Sequence, residues 1–238
     1  MRVTNLSRHD RLGAMNPVAP SVGLGVLHLF CVRLPGDDPD AVARAVAAAE
    51  ADGVRVVCVA LLGHKASIGF MALADDLWKL RELQSALSDA GLDVVDSYVS
   101  LTELSEYSGG VPEPMKQARL HPQLPPEDKP SWCFYPMSKK REAHANWFTL
   151  PYDDRNSLMH EHGASGRKFA GRVVQVITGS TGLDNFEWGV TLFAVNPDDL
   201  KEVVYTMRFD EASAVYAEFG PFYTGMVCTV DELMQRVR

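Results

Sequence analysis

Two successive runs of the element order β-α-β-β-α-β, joined by a proline-rich stretch, predict an α+β fold. Strand-like segments rich in β-branched residues alternate in this order with helix-like segments, first in residues 21–104 and again in residues 131–238. This is the order of a ferredoxin-like unit with an antiparallel sheet. We therefore predict two ferredoxin-like halves whose sheets pack or close into a dimeric α/β barrel.

The first half reads as two helices and four strands. Residues 38–51 are alanine-rich and helical, with Asp38 as N-cap, Pro39 in the first turn and Gly53 ending the helix. Leucines at helical spacing predict the second helix at 75–91. Apolar and β-branched residues predict strands at 25–34, 54–63, 66–74 and 92–104.

The second half repeats this order after residues 105–130, which hold six prolines and are predicted to be a linker without helix or strand. Its helices are predicted at 152–162 and 197–207, and its strands at 131–139, 171–179, 186–195 and 215–228. The last strand contains a glycine break. Residues 1–20 are polar and are predicted to form an irregular arm.

Composition excludes several classes of protein. The net charge of −8 argues against general binding to nucleic acid or to an anionic membrane. No apolar run approaches the roughly 20 residues that span a bilayer, and the N-terminus lacks the apolar core of a signal peptide. The four cysteines are far apart and form no CxxC pair, so we expect reduced thiols in a cytoplasmic protein.

His162 is the candidate metal ligand. On the predicted helix it shares a face with Leu158 and Met159, while His160 points about 200° away. The two histidines therefore cannot bind one metal together, and the HExxH pattern of zinc proteases is absent. Gly163 is expected to end the helix, which places His162 in its last turn. The alternative is a core histidine that donates to a backbone carbonyl.

A local excess of cations stands out in this acidic chain. Between Met115 and Arg141 there are six basic residues and two acidic ones. Such a cluster suits a ligand with several carboxylates or phosphates. The alternative is a solvated basic surface. Phosphate-binding glycine loops of the GxGxxG and GxxxxGK[ST] types are absent.

Tyr135, Met137 and Lys139 alternate along one predicted strand and therefore share one face of the sheet. A lysine on this face either reaches water at the sheet edge or meets an anion in a cleft. Gln175 is a polar residue in a strand predicted to be buried, so it needs a hydrogen-bond partner or a ligand. The residues alone thus predict two ferredoxin-like halves with an anion pocket and one axial histidine.

Several long motifs resemble the chlorite dismutase-like family, and within it the coproheme decarboxylase branch. The matching segments are ELSEY (103–107), RLHPQLP (119–125), CFYPMSKKRE (133–142), NWFTLP (146–151), EHG (161–163), GRKFAGRVVQVITGSTGLDNFEWGVTLFA (166–194) and MRFDEASAVYAEFGPFYTG (207–225). The resemblance is dense after Arg119. There are departures, since Ala164 and Ser165 replace a bulkier apolar pair and Phe148 stands where tyrosine is common.

The resemblance implies a role for each candidate residue. His162 would bind the iron of coproporphyrin, and Tyr135 would be the redox-active tyrosine. Lys139 would lie beside the reactive propionate, and Met137 against the porphyrin edge. Arg119 and Ser213 would contact propionates. Gln175 would lie on the distal side of the porphyrin, where chlorite-degrading relatives have arginine. Glu211 matches the position of a carboxylate beside the axial histidine in those relatives, and its contact with His162 is left open.

The resemblance also implies an activity. The expected reaction is the hydrogen peroxide-dependent decarboxylation of iron coproporphyrin III (coproheme) to haem b through a tyrosyl radical. Coproheme would be both substrate and redox cofactor. A homopentamer and a transient contact with ferrochelatase are implied in the same way. The alternatives are a chlorite dismutase, a haem peroxidase, or a non-catalytic haem-binding barrel.

Overall fold

The computed structural model describes residues 16–237, so residues 1–15 of the predicted arm lie outside the described range. In the first half it confirms all six predicted elements, with ends that differ by a few residues. They are β1 (Gly25–Arg33), α1 (Pro39–Ala51), β2 (Arg55–Leu62), β3 (Ile68–Ala74), α2 (Leu77–Asp89) and β4 (Leu92–Thr102). Asp38 is the N-cap of α1, as predicted, because its side chain accepts a hydrogen bond from the backbone of Ala41 at 3.0 Å.

The second half confirms the predicted order and adds short elements. Its elements are β5 (Ser131–Lys139), β6 (Arg141–Glu142), β7 (Ala145–Asn146), α4 (Tyr152–Arg167), β8 (Val173–Gly179), β9 (Trp188–Ala194), α5 (Pro197–Met207), α6 (Glu211–Ala214), β10 (Ala217–Phe219), β11 (Tyr223–Cys228) and α7 (Val230–Arg236). Residues 105–130 are not free of secondary structure, because α3 (Glu113–Leu120) lies within them. This helix begins with Pro114 in its first turn, where a missing N–H costs nothing.

The predicted end of α4 at Gly163 is wrong. Gly163 is not among the glycines with positive φ, and the helix runs on through Gly166 to Arg167. A Cβ atom at Gly166 would lie 3.0 Å from Cε of Met207, so this small residue lets α4 approach α5 closely. The extension moves His162 from the last turn of α4 into its second half.

One closed antiparallel sheet joins the two halves. The strand order is β10-β5-β11-β2-β3-β1-β4-β8-β9, and β9 also pairs with β5, which closes the barrel. Within each half the order is second, third, first, fourth strand, which confirms two ferredoxin-like units. The halves meet where β11 pairs with β2 over five register positions and where β4 pairs with β8 over two.

The glycine break in the last strand is confirmed. β10 and β11 both pair with β5 on the same edge, opposite different parts of that strand. Between them, the backbone N–H of Gly220 donates to the carbonyl of Pro136 at 2.8 Å. A Cβ atom at Gly220 would lie 2.7 Å from Cζ of Phe186, so the chain can turn here only without a side chain.

The hydrophobic core has three parts. One fills the barrel, where Phe30 and Phe134 are almost fully buried. A second lies outside the first-half strands, beneath α1, α2 and α7. The third lies outside the second-half strands beneath α5 and includes Tyr135. All four cysteines are free, and among residues 16–237 no helix has both the length and the apolar character to cross a bilayer.

Gly225 provides a test of the seam between β11 and β2. A Cβ atom there would lie 2.3 Å from the carbonyl oxygen of Ala60 and 2.8 Å from Cγ1 of Val59. We expect Gly225→Ala to lower the free energy of unfolding by about 1–3 kcal/mol, because the crowded strands must separate. Urea unfolding measures this loss. Gly110→Ala is the matched control, since a Cβ atom there meets nothing within 4 Å, and equal effects of the two variants would contradict the seam geometry.

Candidate functional site

Helix α4 stands away from the sheet that it crosses. None of its 16 residues is fully buried, and it packs against α5 and α6. On the outer face of β8, Gln175 is exposed and Ile177 is 45% exposed. The exposed Ile177 therefore leaves an apolar surface open on the outside of the barrel, the side on which α4 lies. The expectation that Gln175 lies in a buried strand is wrong, because this face of β8 is uncovered and an exposed amide needs no protein partner.

His162 has a carboxylate partner. Its Nδ1 atom lies 3.1 and 3.2 Å from the two carboxylate oxygens of Asp210, and Ser213 Oγ lies 3.3 Å away. A carboxylate only accepts, so Nδ1 carries the proton and the lone pair of Nε2 remains free. The imidazole is 22% exposed, and its partner is not the backbone carbonyl of the core-histidine alternative. Metal-binding histidines commonly donate the ring N–H that does not bind the metal to a carboxylate, as His162 does here.

Asp210 was missed by sequence reasoning. The carboxylate beside His162 belongs to it, whereas Glu211, the residue suggested by the resemblance, is exposed. Asp210 is 3% exposed and is also the N-cap of α6, where it accepts from the backbone of Ser213 at 3.0 Å. The Asp-x-x-Ser spacing of an N-cap is a signal that could have identified it.

Lys139 is buried beside the same short segment. Its Nζ atom donates to the carbonyl of Ala212 at 2.5 Å and lies 4.3 Å from the ring centroid of Trp147. Burial lowers the pKa of Lys139 to about 8, although the negative charges of Asp210 and Glu187 act in the opposite direction. Neither alternative for this lysine, the sheet edge or an anion in a cleft, describes the contacts that it makes here. Its ammonium group is instead poised to lose a proton near neutral pH.

Tyr135 lies on the same outer face of β5 as Lys139, as predicted, and is 4% exposed. Its ring stacks on Phe222 with centroids 4.5 Å apart and meets the edge of Phe219 at 5.7 Å. Burial raises the pKa of the phenol, which therefore stays protonated over the physiological range. Met137 is partly buried and packs against the same cluster.

The predicted cation cluster does not converge on one point. Arg119 ends α3 and donates to Ser108 Oγ at 3.1 Å, away from the contacts of Lys139. A different arginine ties this segment to α4, because Arg155 donates to the hydroxyl of Tyr107 and to the carbonyl of Leu150, each at 3.0 Å. The structure thus brings together His162, Lys139 and Ser213 around residues 210–213, and holds Arg119 on a separate segment that contacts the start of α4.

The donor set fits a metal whose other ligands come from a macrocycle. Among the described residues, no group of three or more histidine, cysteine, aspartate or glutamate side chains could hold a metal ion together. A single histidine whose Nδ1 atom is held by a carboxylate suits axial ligation of iron in a porphyrin through Nε2. The side chains around it could then hold carboxylates and exchange protons.

The contact between Asp210 and His162 can be tested without any ligand. Asp210→Asn keeps the N-cap of α6 but removes the carboxylate. We expect the variant to populate both tautomers of the His162 ring, whereas in the wild-type protein the carboxylate keeps a proton on Nδ1. Nitrogen-15 NMR of the imidazole distinguishes the two forms. Glu211→Gln is the control and should leave the spectrum unchanged. A spectral change in Glu211→Gln but not in Asp210→Asn would contradict the assignment.

The buried ammonium of Lys139 predicts a pH dependence of stability. Its pKa is about 8 in the fold and about 10.5 when exposed, so between these values the unfolded chain holds a proton that the folded protein has lost. The free energy of unfolding of wild type relative to Lys139→Met should therefore rise by about 2–3 kcal/mol from pH 7 to pH 10. Urea unfolding at several pH values, with Lys140→Met as control, measures this. A constant difference between wild type and Lys139→Met would contradict it.

Known proteins resemble this chain over most of its length. The family model described as Chlorite dismutase matches residues 39–228. The coproheme decarboxylase of Staphylococcus carnosus (strain TM300) is 43% identical over 185 aligned positions, and the match covers 73% of this chain and 73% of that protein.

Solved structures show the same fold. A heme-binding protein from Thermus thermophilus superposes with a TM-score of 0.80 at 36% identity, covering 90% of this chain and 94% of that one. A mutant chlorite dismutase from Candidatus Nitrospira defluvii superposes with a TM-score of 0.73 at 19% identity, covering 92% and 97%, which bears on the fold alone. Because the family model spans most of the chain and the Staphylococcus relative exceeds 40% identity, the chain belongs to the chlorite dismutase family and is an enzyme.

Proposed function

We propose that this enzyme converts coproheme to haem b by hydrogen peroxide-dependent oxidative decarboxylation. The proposal rests on His162, whose Nδ1 atom is held by the buried carboxylate of Asp210, so that Nε2 is the nitrogen available to a metal. The relative with 43% identity is a coproheme decarboxylase, and a second relative is a heme-binding protein. The same activity would be the last step of coproporphyrin-dependent haem synthesis.

The residues present fit this substrate. Coproheme combines a flat apolar ring with four propionates, and the outside of the barrel offers the exposed Ile177 as apolar surface and Lys139 beside residues 210–213 as a cation. We propose His162 as the iron ligand. The proposed contacts with the rest of the molecule are Met137 at the ring edge, Arg119, Ser213 and Lys139 at the propionates, and Gln175 on the distal side. The carboxylate of Asp210 strengthens the imidazole as a donor.

Bound coproheme supplies the iron that reacts with hydrogen peroxide. Tyr135 then gives up a hydrogen atom. Its raised pKa keeps the phenol protonated, so the phenol loses a proton together with the electron. The resulting phenoxyl takes a hydrogen atom from the β-carbon of a propionate. Phe219 and Phe222 cover Tyr135 and exclude water from the radical.

The reaction balances for each propionate. A propionate, one hydrogen peroxide and one proton give a vinyl group, carbon dioxide and two waters. Two propionates react in turn, so two peroxides are consumed per haem b. Lys139, with a pKa of about 8, can supply the proton and hold the carboxylate in place. The protein contributes position, and the substrate contributes the redox chemistry.

The setting of the enzyme belongs to the same proposal. We propose a homopentamer in the cytoplasm that receives coproheme from ferrochelatase by transient contact. The proposal draws on the family resemblance, and on the four free cysteines, which suit a reducing compartment. Analytical ultracentrifugation of the purified protein tests the assembly state.

One experiment separates the proposed activity from its alternatives. Purified protein is mixed with iron coproporphyrin III and hydrogen peroxide, and the porphyrin products are identified by mass. Stepwise loss of two carboxyl groups supports the proposal. If the porphyrin mass is unchanged and the protein releases oxygen when chlorite is added, it is a chlorite dismutase. If the protein binds coproheme but does not react with it, it is a haem carrier.

Tyr135→Phe tests the radical role. The variant keeps the ring that packs on Phe222 but lacks the transferable hydrogen, so we expect it to bind coproheme normally and to form haem b at least 100-fold more slowly. Absorbance titration measures binding and mass analysis measures conversion. Tyr205→Phe is the matched control, because Tyr205 is 62% exposed on α5. Conversion by Tyr135→Phe at the wild-type rate would show that another group carries the hydrogen.

A further inference from the structure

The interior of the barrel is polar on one side. Inward-facing positions alternate with outward ones along each strand, so His28 shares the interior with Phe30, and Ser100 shares it with Tyr98. The inward polar side chains, each exposed by at most 3%, are His28, Tyr98, Ser100, Thr102, Thr178, Ser180 and Thr191. They belong to β1, β4, β8 and β9 or directly follow β8, around the seam where β4 and β8 share only two register positions.

Most of these groups have a protein partner. The bonds are His28 Nε2 with Thr191 Oγ1 at 3.0 Å, Thr102 Oγ1 to the carbonyl of Leu120 at 2.8 Å, Thr178 Oγ1 to the carbonyl of Gly189 at 3.3 Å, and Tyr98 with Ser180. Three buried polar atoms among the described residues have no partner, and they are His28 Nδ1, Ser100 Oγ and Trp132 Nε1. Such groups are rare in folded proteins and cost stability unless something binds them.

The three atoms line the same space. Ser100 is the diagonal neighbour of His28, because His28 pairs with Tyr98 and Val26 pairs with Ser100 in the ladder of β1 and β4. The rings of His28 and Trp132 have centroids 6.4 Å apart, across the barrel from β1 to β5. None of the three atoms bonds to another, and the proximity of their side chains allows one small molecule to bridge them.

The chemistry of the three atoms defines that molecule. Burial lowers the pKa of His28 to about 3, so the ring is neutral and has one accepting nitrogen. Trp132 Nε1 can only donate, and Ser100 can do both. The occupant must therefore be small and uncharged and must accept from Trp132, and a molecule that can also donate fits either tautomer of His28. The buried charged side chains, such as Lys139 and Asp210, lie outside the barrel and could not neutralise an ion within it.

We propose that the barrel encloses a water-binding site formed by His28 Nδ1, Ser100 Oγ and Trp132 Nε1. Bound water accepts from Trp132, and its other bonds are to His28 Nδ1 and Ser100 Oγ. It thereby links β1 and β4 of the first half to β5 of the second. The site lies on the opposite face of β5 from Tyr135 and is independent of the proposed activity.

Ser100→Ala gives opposite results for a hydrated and a dry interior. If water binds Ser100, removal of the hydroxyl breaks a hydrogen bond and lowers the melting temperature by about 2–4 °C. In a dry interior the same change removes an unsatisfied polar atom and raises the melting temperature. Ser97→Ala, at an exposed position on the same strand, is the control and should have no effect. A rise for Ser100→Ala overturns the proposal.

A crystal structure of the wild-type protein tests the site directly. We expect density for an ordered water within hydrogen-bond distance of His28 Nδ1 and of at least one of Ser100 Oγ and Trp132 Nε1. An interior without such density overturns the proposal even if Ser100→Ala is destabilising. This measurement needs no variant, so it decides the question if Ser100→Ala does not fold.

Discussion

The pairing of β5 on both edges is the interaction on which the rest of the structure depends. β9 pairs with one edge of this strand, while β10 and β11 divide the other, so β5 closes the barrel. Its alternating side chains then define both environments, since Trp132 and Phe134 enter the barrel while Tyr135 and Lys139 face the helices. A slip of one residue would exchange the two sets, and the phenol would face the barrel interior.

The four-residue helix α6 is the second element on which the site depends. Asp210 caps α6 and holds His162, and the carbonyl of Ala212 accepts from Lys139. The segment thus fixes the imidazole of His162 and a lysine of lowered pKa through one turn of backbone. Asp210 is almost fully buried, and its negative charge opposes the lowering of the Lys139 pKa that burial causes.

The order of the main elements could be predicted because it depends on local features of the sequence. These features are the periodicity of apolar residues and the glycine and proline residues at the ends of elements. The limits of elements depend on tertiary contacts, which explains the errors. Gly163 could end a helix, yet α4 continues because Gly166 packs closely on Met207. Gln175 belongs to an apolar strand, but which face of that strand a helix covers is invisible in the sequence. Asp210 and Glu211 are adjacent carboxylates, and only the phase of a single turn decides which one reaches His162.

The two halves share a topology but differ in how the first helix is seated, and this difference explains where the site lies. In the first half, α1 buries Val42 and Val46 against the sheet and leaves no room beneath it. In the second half, α4 occupies the equivalent crossover and buries none of its residues. Burial of an apolar face is the usual source of helix stability in a folded protein, so α4 depends on its contacts with α5, α6 and the segment held by Arg155. A large flat ligand that covers the exposed face of β8 would give α4 the apolar surface that α1 already has, and binding would therefore stabilise the helix that carries His162.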